Sequence, residues 1–174
     1  AMTSAPVRPC TPWTIAVRAL HYGRYGRDSD DSQIIDLYSG YPELVHGYGV
    51  GSFSATECLQ GAPGKECDVF RSLLGSRMLV ANLEVHVPVL GVFHREIEYG
   101  RLPVDLAFFT DAGVTWTRDD LPSFAGGDRR IVRSIGGALR VNVFGLLAVE
   151  LAASHPHDRV DRSVQWQVGI RQGF

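Results

Sequence analysis

The chain ends Val164-Gln-Trp-Gln-Val-Gly-Ile-Arg-Gln-Gly-Phe174. Read in steps of two, Val164, Trp166, Val168, Ile170 and Phe174 fall on one side, and Gln165, Gln167, Gly169 and Arg171 on the other. Gln172 interrupts the apolar side. Period two is the period of a strand, whose side chains alternate between faces. Wound as a helix, the same residues would have no apolar side. The stretch therefore predicts a strand. Its aromatic carboxy-terminal residue predicts a last strand that closes against another, as in an outer-membrane barrel.

The same alternation recurs upstream. Trp13 to Tyr25 reads as a strand with Trp13, Ile15, Val17 and Ala19 on one face. Arg77 to Val87 carries Leu79, Ala81, Leu83, Val85 and Val87 against Asn82, Glu84 and His86, and Pro88, which cannot donate to a ladder, ends it. Val104 to Trp116 turns Val104, Leu106 and Phe108 one way and Asp105, Ala107, Phe109 and Asp111 the other. Ile131 to Val143 sets Ile135, Leu139, Val141 and Val143 against Ser134, Arg140 and Asn142. Leu147, Val149, Leu151 and Ala153 oppose Ala148, Glu150 and Ala152. Polar turns separate these runs, among them Asp119-Asp120 and the stretch from His155 to Asp161. Residues 33–39 fit either a short strand or a helix-like turn.

The expected fold class is all-β, an antiparallel meander of about six long strands that forms part of, or assembles into, a transmembrane β-barrel. Length decides the class: soluble strands cluster near ~5–6 residues, whereas a tilted membrane strand needs ~9–11. Composition does not decide it. The 174 residues are 45% hydrophobic and 21% charged, which suits a globular protein and a barrel with a polar interior equally. The formal charge of −2 and the pI of about 6.3 argue against a nucleic-acid partner. No apolar run approaches the ~18–20 residues of a membrane helix.

Residues 1–12 read as a leader or linker and 13–174 as the barrel segment. The start lacks the charged-then-apolar order of a secretory signal, so the chain reads as a piece of a longer precursor. Residues 40–76, with glycines at 40, 47, 49, 51, 61, 64 and 75, read as one long loop, a length that is usually functional. Cys58 and Cys67 lie within it. Two readings stand: a disulfide, which fits an oxidising compartment, or two unrelated free thiols. No Cys/His cluster has metal-site spacing, and His155-Pro-His157 reads as a turn. No cofactor is expected. Neither a Gly-x-Ser-x-Gly elbow nor a phosphate loop occurs, so no catalytic residues are assigned and the chain is expected not to be an enzyme.

Four segments in order resemble the carboxy-terminal part of the bacterial surface antigen family, the superfamily of the outer-membrane barrel insertase and the two-partner-secretion translocators. His46-Gly47-Tyr48 resembles the family's Arg-Gly-Phe/Tyr motif at the tip of a loop folded into the barrel. Leu74 to Glu84 resembles the strand after that loop, and Phe108-Phe-Thr-Asp-Ala-Gly-Val-Thr-Trp116 resembles a Phe-x-Asp-x-Gly-x-x-Trp strand. Trp166, Val168, Ile170 and Phe174 resemble the terminal signal read by the barrel-assembly machinery. The resemblance implies a bacterial outer-membrane location, lipid as a partner, and a role in protein insertion, translocation or membrane anchoring.

It also implies that acids on the two strands, Glu84 and Asp111, hold the loop tip. Here the chain departs from the family: histidine stands where arginine is expected. Histidine cannot make the two-pronged bond of a guanidinium to a carboxylate, and its charge titrates near neutrality. Between two acids it would form a pH-dependent lock; the plain alternative is an ordinary polar loop histidine. Six strands leave two open edges, to be met by the remaining strands of a larger barrel or by other copies of the chain. The competing expectation is a small soluble barrel or sandwich with apolar residues inside, around an apolar ligand.

Overall fold

A computed structural model describes residues 13–31, 33–53, 68–89, 104–143, 146–159 and 163–172, with side chains to residue 170. Six strands form one antiparallel sheet: β1 (Thr14–Gly23), β4 (Arg77–Pro88), β5 (Val104–Trp116), β6 (Val132–Val143), β7 (Leu147–Pro156) and β8 (Gln165–Gln172). They lie in that order, so every neighbour is also the next long strand in the chain. Five of the six are 10 to 13 residues long. Among the described residues no ladder joins β1 to β8, and the sheet is open.

The segment between β1 and β4 is not structureless, as composition had suggested. It contains β2 (Leu37–Tyr38) paired with β3 (Leu74–Gly75), a 3-10 turn at Val50–Ser52, and the short helix α1 (Asp68–Ser72). These pieces are too brief to give a periodic signal. β7 also runs through His155 to Pro156, three residues beyond Ala153, where the alternation from Leu147 ended. Cys58, Cys67 and Phe174 lie outside the described residues.

Register turns the alternation within each strand into rows across the sheet. On one face Arg18, Asn82, Asp111 and Ser134 stand opposite one another in sequence across β1, β4, β5 and β6. The next row on that face is Glu84, Phe109, Gly136 and Ser154. The row Asp105, Arg140, Glu150 follows further along. The other face carries Ile15, Val85 and Phe108, then Val87, Leu106, Leu139, Leu151 and Val168, then Val104, Val141, Val149 and Ile170. A shift of one residue in any pairing would exchange the faces, so the two residue sets pin the register.

The segment after β1 folds over the polar face. Val45, Tyr48, Tyr38 and Leu73 pack on Val80 and Val132 of the sheet, with Leu20, Leu44, Phe53 and Phe70 around them. Each such fully buried side chain contributes about 1.5–3 kcal/mol. Gly113 makes the contact possible, because a Cβ there would stand 2.7 Å from Val45 Cγ2. A smaller cluster of Ala107, Phe109, Ala138 and Ala152 continues along the same face. The opposite face stays uncovered: Val17 is 76% exposed, Phe108 52%, Trp166 69% and Val168 73%. The sheet thus buries polar and charged side chains and exposes its apolar ones.

Candidate functional site: the buried loop tip

His46 and Tyr48 are fully buried beneath the loop, against the middle of the polar face. Asp111 Oδ2 accepts from the His46 amide at 3.1 Å and lies 2.7 Å from His46 Nδ1. Ser134 Oγ donates to the same oxygen at 3.2 Å. Asp111 Oδ1 accepts from Asn82 Nδ2 at 2.7 Å, and that amide nitrogen is also 2.7 Å from the Leu44 carbonyl. Asn82, Asp111 and Ser134 converge because register sets them side by side on three strands. Arg18 Nε closes the row by donating to Asn82 Oδ1 at 3.0 Å. The Phe109 ring stacks on the imidazole, with centroids 4.0 Å apart.

The second acid at His46 is Glu150, not Glu84. Glu150 Oε1 lies 3.6 Å from His46 Nε2. Glu84 Oε2 instead lies 2.8 Å from Arg140 Nη1 and 3.1 Å from His86 Nε2. Arg140 accounts for the difference, since it bonds Glu84 through Nη1 and Glu150 through Nε and so bridges the two acids. Phe109, directly opposite Glu84 in the ladder, covers the face of the imidazole. Of the two acids implied by the resemblance, the structure brings Asp111 to the loop tip and gives Glu84 to Arg140.

Burial opposes charge on His46, but hydrogen bonds and charge from Asp111 and Glu150 outweigh it and hold its pKa above the ordinary value. With a carboxylate on each nitrogen, the imidazolium is the form this site favours. Gly47 turns the chain at φ 86°, in the left-handed region. Its amide donates to Gln167 Oε1 of β8 at 3.3 Å, and a Cβ there would stand 2.9 Å from Ser154 Oγ. Tyr48 donates its hydroxyl to the Arg133 carbonyl at 2.8 Å and accepts from the Asp158 amide at 3.3 Å. Burial pushes that hydroxyl up to about 12. Tyr38 donates to the Tyr48 carbonyl.

Arg159, in the turn after β7, clamps the tip from the other side. It donates to the Gly47 carbonyl at 2.8 Å, to Ser52 Oγ at 2.9 Å and to the Ser52 carbonyl at 2.6 Å. Its guanidinium lies 4.4 Å from the Phe53 ring centroid. Arg159 reads in sequence as one more charge in a polar turn, and nothing local marks it. Arg140 and Glu150 carry a signal, as lone charges on otherwise small or apolar faces.

Ser134, His46 and Asp111 share a site, but not the relation of a nucleophilic triad. The serine donates to the aspartate, and His46 Nε2 faces Glu150. In a triad the serine hydroxyl bonds the imidazole nitrogen remote from the acid. Among the described residues no group of three His, Cys, Asp or Glu side chains could hold a metal ion. What the arrangement does is fasten the segment 44–53 to five strands, β4 to β8, and to the turn after β7. Trp166, Val168 and Ile170 lie away from it, on the exposed face of β8. No family model, no curated protein and no solved structure matches the chain.

Proposed function

We propose that the chain is a segment of a bacterial outer-membrane β-barrel resembling the surface antigen family, serving protein insertion, translocation or membrane anchoring, without catalysis. The observation that carries this reading is the inverted distribution of side chains. Charged groups cluster under the loop, while the apolar rows face outward unprotected. In water such a contiguous face would be a liability far beyond ordinary surface patches. In lipid it is the favoured arrangement. The dimensions agree: Leu79 to Val87, or Val104 to Ala112, covers about 26 Å of strand at about 3.3 Å per residue. At a tilt of about 40° that stands about 20 Å high, close to the lipid-facing band of such barrels.

The loop tip then lies in the barrel interior as a plug, held by His46, Asp111 and Glu150. The open edges of β1 and β8 call for further strands, from a longer chain or from other copies, and β8, with Trp166, Val168 and Ile170 exposed, is the natural contact for the assembly machinery. A soluble barrel around an apolar ligand fits less well. It needs an apolar interior, and the loop-covered face instead holds Asn82, Asp111, Ser134 and Glu150.

The test is depth-dependent quenching. Trp13→Phe and Trp116→Phe leave Trp166 as the sole tryptophan. Trp166 ends the row that runs through Ile15, Val85, Phe108 and Ala153, near the middle of the apolar face. In vesicles of lipids brominated at successive depths, mid-chain bromines are expected to quench it most. A chain that stays monodisperse without detergent and whose Trp166 is unquenched would overturn the reading.

A further inference from the structure

The apolar outer face ends abruptly at one rim. Two residues beyond Leu79, on the same side of β4, stands Arg77, and its ladder partners are Gly23 on β1 and Trp116 on β5. Above this row lies an open cleft of about 590 Å³ lined by Tyr25, Gly26, Arg27, Arg77, Trp116, Arg118 and Leu121. Three guanidinium groups therefore share one cleft with two aromatic rings.

The Arg77, Tyr25 and Trp116 side of the wall is fixed in place. Arg77 Nη2 donates to Ser29 Oγ at 3.2 Å, and its guanidinium lies 5.0 Å from the Tyr25 ring centroid. His21 stacks on Trp116 with centroids 5.7 Å apart, and its Nε2 is 2.6 Å from the Tyr25 hydroxyl. Gly26, at φ 130°, has open space where a side chain would be. The charged side chains that line the cleft are all of one sign. Among the described residues Arg24, Arg129, Arg133 and Arg140 each pair with a carboxylate, whereas no carboxylate comes within 4.0 Å of Arg27, Arg77 or Arg118. Asp30 is the acid of the turns around Arg27 and Arg118 that is bonded into the wall. It accepts from Ser29 Oγ at 3.0 Å and from the Arg118 amide at 3.4 Å. Hydrogen bonds, first of all from Ser76, hold its carboxyl below the usual range, so it stays ionised. Asp28, Asp31, Asp119 and Asp120 stand in the same two turns, but none of them lines the cleft, whose charged lining residues are Arg27, Arg77 and Arg118.

We propose that this cleft binds a phosphate group, specifically the phosphate of a lipid whose chains lie along the adjoining apolar face. Arginine forks match phosphate oxygens, and a row of arginine and tryptophan at the margin of an apolar band suits the head-group level of a bilayer. The cleft's position, one row past Leu79, would put the phosphate there. The lipid source rests on the membrane reading above; the phosphate chemistry does not.

The experiment is calorimetric titration of the full chain in a non-ionic detergent with dihexanoyl phosphatidic acid, dihexanoyl phosphatidylcholine and inorganic pyrophosphate. Phosphatidic acid is expected to bind at least tenfold more tightly than phosphatidylcholine, and pyrophosphate to compete with it. Arg27→Gln with Arg118→Gln, both solvent-exposed, is expected to weaken phosphatidic acid binding at least tenfold at unchanged circular dichroism. Arg118→Gln alone serves if the double variant misfolds, with a smaller loss in the same direction, and Arg118→Lys restores part of it. Equal affinity for the two lipids, or binding indifferent to the arginines, would overturn the site. If pyrophosphate binds as tightly as phosphatidic acid, the lipid part is overturned. Failure of Trp166 quenching with arginine-dependent pyrophosphate binding intact would sink the membrane reading and leave the anion site standing.

Discussion

Asp111→Asn is expected to release the loop tip while leaving the sheet in place. The aspartate accepts from the His46 amide, His46 Nδ1 and Ser134 Oγ on one oxygen and from Asn82 on the other. Asparagine keeps one oxygen. Turned toward His46, it presents its NH2 to the Asn82 NH2, a donor facing a donor. Asn82 cannot simply flip, because its own oxygen accepts from Arg18 and its nitrogen donates to the Leu44 carbonyl. The substitution therefore strands a buried donor, at about 1–3 kcal/mol. It also removes the charge opposite His46, and breaking a buried pair from one side costs about 3–5 kcal/mol. Partial relaxation leaves a loss of about 3 kcal/mol, a large share of the roughly 5–15 kcal/mol that holds a typical domain. Amide hydrogen exchange reads it directly. Protection of residues 44–48 is expected to fall by roughly two orders of magnitude, at about 1.36 kcal/mol per tenfold. Exchange of β5 and β6 ladder amides should change far less. Unchanged protection at 44–48 would refute the assignment of Asp111 as the anchor.

Three further outcomes follow from the same geometry. Because the folded His46 pKa is raised, its contribution is fully present below the unfolded value of about 6.5 and is lost as pH rises through the higher folded value. Loop protection, corrected for intrinsic exchange rates, should thus fall on the alkaline side, and His46→Gln should abolish that dependence. Arg140→Leu leaves Glu84 and Glu150 without the cation between them and is expected to cost about 3–5 kcal/mol in denaturant titration, with Glu84→Gln/Arg140→Leu/Glu150→Gln recovering most of it. Gly47→Ala forces a Cβ into the left-handed region against Ser154 and Pro156, and should cost at least about 1–2 kcal/mol in the same titration.

Sidedness was legible in the sequence because it is local. Whether Leu83 and Val85 share a face with Ala81 depends only on their being in one strand, and the run from Leu79 to Val87 states it without ambiguity. The resemblance brought Asp111 to the loop. It misplaced Glu84, because which acid reaches an imidazole depends on register across strands and on competitors such as Arg140. No strand declares its register in isolation. Glu150 stood out only as a lone charge, and Arg159 not at all, since its partners are carbonyls supplied by a loop more than a hundred residues earlier. The short β2, β3 and α1 were hidden for the opposite reason: two to five residues cannot display a period.

Sequence separation at the loop tip has a kinetic consequence. His46 meets Asp111 across 65 residues, Arg159 meets the Gly47 carbonyl across 112, and the Gly47 amide meets Gln167 across 120. The first of these bonds waits on β5, the second on the turn after β7 and the third on β8, and contacts so distant in the chain form slowly. Seating of the tip is thus placed among the last events of folding. Its protection from exchange becomes a clock for the sheet, one that is complete only when β8 has found its register.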